Sequence, residues 1–392
     1  MFDHLLQKEV QEYIKDFRQE LARLAFSGSP FTNVSTKELL QQIESRQKAK
    51  TKLPTWFTTP GIIYPAKLHL EQTSSEATAI YKQNLVGGKT LADITGGFGI
   101  DSYYFAQTFA QVHHFEIQQH LCDIVSHNLQ HLPNNSFISQ SKDGLKAIEN
   151  KTFDVIYADP SRRHDSKGKV FFLEDCEPNI PKNLDYLLQR CNTLLIKTSP
   201  MLDISVALKA LHSVANIHIV ALHNEVKEVL WTLSKGQTKT PEIHTVNITK
   251  VGVQNFKFSW NTAAQLSLST PLKYLYEPNA AIMKSGAFNH MCDAFKLLKL
   301  HKHSHLYTSQ DLVDFPGRRF KIEKVLPYSK KQMRHSIDFD KANISTRNFP
   351  ETVAKLQEKW KLQQGGDRYL FFTTIENDKK IVLICSKIID EV

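Results

Sequence analysis

Apolar side chains near the start of the chain recur at three- and four-residue steps: Phe2, Leu5, Leu6, Val10, Tyr13, Ile14, Phe17, Leu21 and Leu24. That spacing puts them on one helical face and predicts an amphipathic helix over 3–24. Ser35-Thr-Lys-Glu38 has the form of a capping box and opens a second helix through Leu39, Leu40 and Ile43. Pro54, Pro60 and Gly61 interrupt the pattern across 50–64, and Thr73-Ser-Ser-Glu76 reads as another box for a helix over 77–85.

From residue 90 the pattern alternates between short apolar runs and helical repeats. Strands are predicted at 90–94, 112–117, 136–140, 153–158, 193–200, 217–223 and 226–234. Helices are predicted from 101 to 107, from 177 to 192 with Leu184, Leu187 and Leu188 on one face, and from 204 to 214 behind an Asp203 cap. Strand–helix alternation of this kind specifies an α/β fold around a mostly parallel sheet. Beyond Gly236 the runs become short and alternating, as at 242–251 and 256–260, and predict β structure. Segments 276–288 and 307–320 flank a helical middle, 341–374 reads as strand, helix, turn, strand, and 381–386 closes as a strand, so small α+β units follow the large sheet.

Candidate chemistry gathers at the ends of the predicted strands. Leu91-Ala-Asp-Ile-Thr-Gly-Gly-Phe-Gly-Ile-Asp101 is a strand breaking into glycines and then a helix, which reads as a cofactor loop and also fits dinucleotide binders and plain tight turns. Glu116 follows the second strand, Asp143-Gly144 the third and Asp159-Pro160 the fourth. In an open α/β sheet these positions share the carboxyl edge, where the ligand crevice lies. Asp93 also suits a cap for the glycine turn.

These four motifs in order resemble class I (Rossmann-like) S-adenosylmethionine-dependent methyltransferases over about residues 71–235. The resemblance implies a seven-stranded, mostly parallel sheet ending in an antiparallel hairpin. It implies a cofactor site in which Asp93, Thr95, Gly96, Gly97 and Gly99 meet the methionine part. Glu116 would hold both ribose hydroxyls, Asp143 would read the adenine amino group, Ile117 and Gly144 beside them are further cofactor-binding candidates, and Asp159-Pro160 would floor the reaction site. A dehydrogenase fits less well, because the turn is Gly-Gly-Phe-Gly and not G-x-G-x-x-G. The residues before the cofactor strand, Glu71-Gln72-Thr73 and Thr78, are further candidates for reaching the cofactor. The C-terminal segments, with Asp-Pro-Ser-Arg-Arg at 159–163, resemble a bacterial methyltransferase subgroup carrying ferredoxin-like and THUMP-like domains and assigned to RNA methylation. The expected organisation is a helical region at 1–70, the methyltransferase domain at 71–235, a ferredoxin-like domain at 236–320 and a THUMP-like domain at 321–392.

Charge sharpens the expected partner. The net charge is +9, but residues 1–235 hold 25 basic and 25 acidic side chains, against 24 and 15 in residues 236–392. A neutral catalytic part joined to a basic one suits a polyanion such as RNA. The densest run, Arg318-Arg319-Phe-Lys321-Ile-Glu-Lys324, continues through Lys330, Lys331, Arg334 and His335; Arg318, Arg319 and Lys321 are the substrate-binding candidates, and a solvated surface is the plain alternative. Five scattered cysteines without C-x-x-C spacing, an early-charged N-terminus and no apolar run of about 18 residues lead to the expectation of a cytoplasmic protein without a membrane span. His301-Lys-His303-Ser-His305 would put three imidazoles on one strand face, but without an acid or cysteine partner no metal is expected.

Methyl transfer from a sulfonium requires alignment and exclusion of water more than acid–base groups. Asp159 could accept an N–H of the nucleophile, and Pro160 fixes the following turn. Ser161 and Arg162 stand where aminopurine methylators carry proline and an aromatic ring, which counts against base-amine chemistry. No cysteine follows the fifth strand, which counts against a thiolate-dependent uracil-C5 reaction. Arg162 and Arg163 could clamp a nucleotide phosphate or pair with Asp165 or Glu174. Two functions compete: an RNA methyltransferase, and an RNA-binding or ribosome-assembly factor that keeps the cofactor fold without turnover. A small-molecule or protein methyltransferase is a third.

Overall fold

The computed structural model describes residues 2–133, 137–162 and 172–389. The chain divides into two compact units, Met1–Ile217 with Glu228–Lys239, and His218–Lys227 with Thr240–Val392.

The first unit opens with helices. The stripe predicted over 3–24 is buried at Phe2, Leu5, Val10, Ile14, Phe17 and Leu24, but it is carried by three short helices, Asp3–Leu6, Lys8–Asp16 and Leu21–Ser27. Side chains satisfy the carbonyls exposed at the breaks: Gln11 Nε2 donates to Leu5 O (2.7 Å), and Arg18 Nη1 donates to Lys15 O and Phe17 O (both 3.0 Å). The box at Ser35 is present in full and starts Thr36–Lys52. The second box is not formed. Thr73 closes helix Lys67–Gln72 through its N–H to His69 O, so Ser75 caps Glu76–Gln83 instead. Glu76 turns to Thr55 and to the Tyr104 hydroxyl (2.9 Å).

The sheet that follows has β1 (Thr90–Asp93), β2 (Gln111–Glu116), β3 (Phe137–Ser141), β4 (Phe153–Ala158) and β5 (Cys191–Thr198) parallel in the order β3-β2-β1-β4-β5. Leu91, Ala92, Val155, Ile156, Leu194, Leu195 and Ile196 are fully enclosed, as strands covered on both faces require. Asp203 caps Ile204–Ala210 as predicted, with its carboxylate accepting from Val206 N (3.0 Å). The strand then leaves helix four residues earlier than predicted, into β6 (Val214–Leu222). β7 (Glu225–Leu233) returns antiparallel to β5. His223 and Asn224, both at positive φ (51° and 66°), form the two-residue turn between them.

The second unit includes that turn, within His218–Lys227. β8 (Glu242–Thr249) pairs with β6 and with β9 (Gly252–Ser259), so two strands that the sequence reading assigned past a boundary at 236 belong to a sheet with the hairpin. A separate sheet contains β10 (Tyr274–Pro278), β11 (Tyr307–Ser309), β12 (Gly317–Pro327), β13 (Asn343–Arg347), β14 (Arg368–Thr374) and β15 (Lys380–Lys387). Its order is β11-β10-β12-β15-β14-β13, with the short strand Leu298–Lys299 outside β11. Helices Lys330–Ser336 and Val353–Trp360 contribute Met333 and Leu356 to a core with Leu370, Phe372, Val382 and Ile384. The histidines at 301–305 lie in a turn, not on a strand: His301 is buried and its Nδ1 meets His303 N and Asn348 Nδ2. Among the described residues no helix is long and apolar enough to cross a membrane, and no group of three or more His, Cys, Asp or Glu is placed to hold a metal. All five cysteines are buried free thiols.

One buried ion cluster ties the first unit together. Lys82, with no exposed side-chain surface, donates to both oxygens of Glu228 (2.8 Å each) and to Ser74 Oγ (3.0 Å), and lies 3.2 Å from Asp101 Oδ1. Removing a partner from such a pair strands the remaining charge in a low-dielectric interior. Lys82→Met is therefore expected to destabilise the unit by about 3–5 kcal/mol, read as a lower urea midpoint for the near-ultraviolet signal of the intact chain.

Candidate active site at the carboxyl edge of the parallel sheet

Glu116 ends β2 and is almost enclosed. Its Oε2 accepts from Gly97 N (2.9 Å), and its Oε1 accepts from Gln118 N (2.8 Å). The glycine turn and the acid after the second strand therefore converge, as predicted. Each carboxylate oxygen keeps a further lone pair for a hydroxyl. Ile117 beside it is 71% exposed, an apolar side chain presented to solvent at the strand tip.

The turn is shaped by close approach. A Cβ on Gly96 would lie 2.3 Å from His114 Nε2, and a Cβ on Gly144 would lie 2.1 Å from Ile94 O, so neither position admits a side chain. Gly97 and Gly99 have φ of 56° and 75°, and Gly99 leads into helix Ile100–Phe105. His114 beneath the loop is pushed down to about 4 by burial and is neutral, with Nδ1 bonded to Ser139 Oγ (3.0 Å).

Asp93 is enclosed within the turn. Its Oδ1 accepts from Thr95 N (3.1 Å) and its Oδ2 from Ser102 Oγ (2.7 Å), which is a loop-capping geometry. Burial pushes its carboxyl up to about 7, against those two hydrogen bonds. Thr95 Oγ1 in turn accepts from Asp159 N (2.7 Å), so the end of β1 is fastened to the end of β4. Asp143 caps Gly144–Ala147 by accepting from Lys146 N (3.2 Å). Gln72 and Thr73 end a helix, and Thr78 is buried in the Ser75 cap.

Asp159 Oδ2 is paired with Lys197 Nζ near the end of β5. Pro160 is buried, and Ser161–Arg162 pairs with Cys176–Glu177 as a two-residue ladder. The Arg162 side chain and all of Arg163 and Asp165 lie outside the described residues. Lys197, missed by the sequence reading, belongs to the Lys82 cluster. Burial opposes its charge, but Asp159, Glu228 and Asp101 outweigh burial and raise it above the ordinary lysine range. Burial alone would raise Asp101; Lys82 and Lys197, with hydrogen bonds from Tyr157 and Ser74, hold it below the usual carboxylate range. Burial raises Glu228 in spite of the same two ammoniums. A lysine inside the apolar run Leu194-Leu-Ile-Lys197 was the available signal, since a charge near the end of a buried strand needs a partner there. Three carboxylates face two ammoniums, and Asp159 is the most exposed member, at 32%.

The C-terminal basic candidates are placed otherwise than a free cationic surface would be. Arg318 bonds Glu277, Arg319 lies 3.8 Å from Asp314, and Lys321 lies 3.4 Å from Glu323. Lys324, Lys330, Lys331, Arg334 and His335 are exposed.

A putative methyltransferase from Porphyromonas gingivalis W83 superposes on the whole chain, with 31% identity, 98% of each chain covered and a TM-score of 0.86. The chain belongs to the family of that protein. Residues 274–316 match a ferredoxin-like domain family and residues 317–387 a THUMP domain-like family. An rRNA methylase from Streptococcus thermophilus shares 14% identity over 41% of this chain and 94% of its own, with a TM-score of 0.29. A putative methyltransferase from Streptococcus mutans in complex with SAH shares 12% over 41% and 96%, with a TM-score of 0.30. No curated protein matches the chain.

Because Asp93 titrates higher when folded than when unfolded, folding favours its protonated form. Its contribution to stability is full below the unfolded pKa of about 4 and is lost as pH rises towards about 7. Asp93→Asn is expected to flatten the decline in thermal midpoint of the native chain between about pH 4 and 7, measured by unfolding of both proteins across that range.

Proposed function

We propose that this protein is an S-adenosylmethionine-dependent methyltransferase that modifies RNA. The observation that carries the reading is the meeting of Glu116 with Gly97 at one sheet edge, beside exposed Ile117, with Asp143 and Asp159 at neighbouring strand tips. Glu116 offers lone pairs to two ribose hydroxyls, Ile117 offers an apolar surface to the adenine, and Asp143 offers an acceptor to its amino group. The side-chain-free turn at Gly96 and Gly97 lets the backbone come close to the methionine part. Bound S-adenosylmethionine would supply an electrophilic methyl group at this edge.

The protein's own part is to align the acceptor atom and keep water out. Lys197 holds one oxygen of Asp159 and Thr95 holds its backbone, so Asp159 is fixed in position, with Oδ1 available to accept an N–H or O–H of the substrate. The one excess negative charge of the cluster complements a sulfonium cation. Support for RNA comes from the basic excess of residues 236–392 and from the THUMP-like match.

The test pairs two measurements. Isothermal calorimetry is expected to show S-adenosylmethionine binding that Glu116→Ala weakens roughly tenfold or more, since a charge-assisted hydrogen bond is lost. Incubation with methyl-labelled cofactor and total RNA is expected to label RNA with the native chain and not with Asp159→Asn. RNA binding without label in any RNA would favour the assembly-factor reading; no binding of the cofactor would remove the methyltransferase reading.

A further inference from the structure

The second unit contains more positive charge around one carboxylate than burial requires. Glu277 on β10 is 3% exposed and is the cross-strand neighbour of Arg318 on β12. Arg318 Nε donates to its Oε2 (2.6 Å), and Arg318 Nη2 reaches the same oxygen. A second guanidinium, Arg347 at the end of β13, lies with Nη2 2.7 Å from Oε1. One cation neutralises a buried carboxylate, so the second leaves a net positive charge on a braced, partly dehydrated support.

Both guanidiniums remain accessible, with 37% and 38% of their side-chain surfaces exposed. Their other contacts hold them in place without quenching charge: Arg318 Nη2 meets Ser345 Oγ (3.4 Å), and Arg347 Nη1 donates to Thr346 O (3.3 Å). Among the described residues Arg318 Nη1 meets no acceptor, whereas the unpaired Nε of Arg347 is buried, so that arginine can offer a ligand only its terminal nitrogens. The surroundings are positive as well. Burial, with the charges of Lys299, His303 and Arg347, pushes His305 down to about 4. By contrast Arg319 and Lys321 of the same basic run each have an acidic neighbour of their own.

We propose that Glu277, Arg318 and Arg347 form a phosphodiester-binding site, in which the buried carboxylate holds two guanidiniums ready for one backbone phosphate of the RNA. The inference rests on the RNA reading above and gives it an address. Guanidiniums match the two free oxygens of a phosphodiester through paired N–H donors, which a lysine cannot do. The brace comes from the ferredoxin-like match and both arginines from the THUMP-like match, so the site needs the two segments together.

The experiment is fluorescence anisotropy of the full chain with labelled single-stranded RNA over a series of KCl concentrations, accompanied by thermal unfolding of each variant. Arg347→Gln and Arg318→Gln are each expected to weaken binding roughly fivefold or more at low salt and to reduce the log–log salt slope by about 0.7, the loss of one phosphate contact. Arg347→Lys, which keeps the charge and should preserve the fold, is expected to retain the slope with weaker binding. Unchanged affinity and slope in folded Arg347→Gln, whatever its midpoint, would make the triad a structural ion cluster and overturn the site while leaving the RNA reading intact. No RNA binding by the native chain would overturn the RNA reading and the site with it.

Discussion

The contact between Lys82 and Glu228 is the constraint on which the first unit turns. It joins a helix that precedes the sheet to the strand that closes it, residues separated by 146 positions. Either charge left alone in that interior is strongly destabilising, so each favours the folded state only with its partner in place. Asp101, the first acid after the glycine turn, shares Lys82 and takes the hydroxyls of Ser74 and Tyr157. The same ions that close the core therefore fix the helix that follows the loop.

From there the constraint passes outward to the sheet edge. Lys197 is raised in basicity by the cluster's carboxylates and pairs with Asp159, whose backbone is held by Thr95. Thr95 is itself placed by Asp93. The strand tips are thus linked by short polar contacts, and neither Gly96 in the turn nor Gly144 after β3, which packs on Ile94, has room for a side chain. Such a support keeps acceptors in place before any ligand arrives, which is what an alignment-driven reaction demands.

Family membership and geometry bear on different questions. Full-length likeness to the Porphyromonas gingivalis protein places the chain in a family, and two domain matches mark its C-terminal segments as ferredoxin-like and THUMP-like. The hydrogen bonds at Glu116 and Asp159 bear on the chemistry. In the second unit charge is organised by the same principle as in the first, through a carboxylate too buried to stand without cations. In the Lys82 cluster the balance is negative and in the Glu277 triad it is positive, signs that suit a sulfonium and a phosphate respectively.

Much of this was legible in the amino-acid order, because it depends on local patterns. Strand–helix alternation, the Gly-Gly-Phe-Gly turn, the acids after successive strands and the Ser35 and Asp203 caps are all set by neighbours within a few residues, while the closing hairpin was implied by the family resemblance. The breaks within 3–24 and the shift of the cap from Thr73 to Ser75 were not legible; at the second, Glu76 is held by Thr55 and Tyr104, residues distant in the chain that a local pattern does not name. The pairing of β8 with the hairpin strand was hidden for the same reason: alternation marks a strand but does not name its neighbour. Charge behaved likewise. The run at Arg318 announced a cationic surface, whereas tertiary contacts divided it into residues paired with their own acids and one that joins Arg347 on Glu277. Which carboxylate lies beside which cation is a long-range property, and only the folded chain decides it.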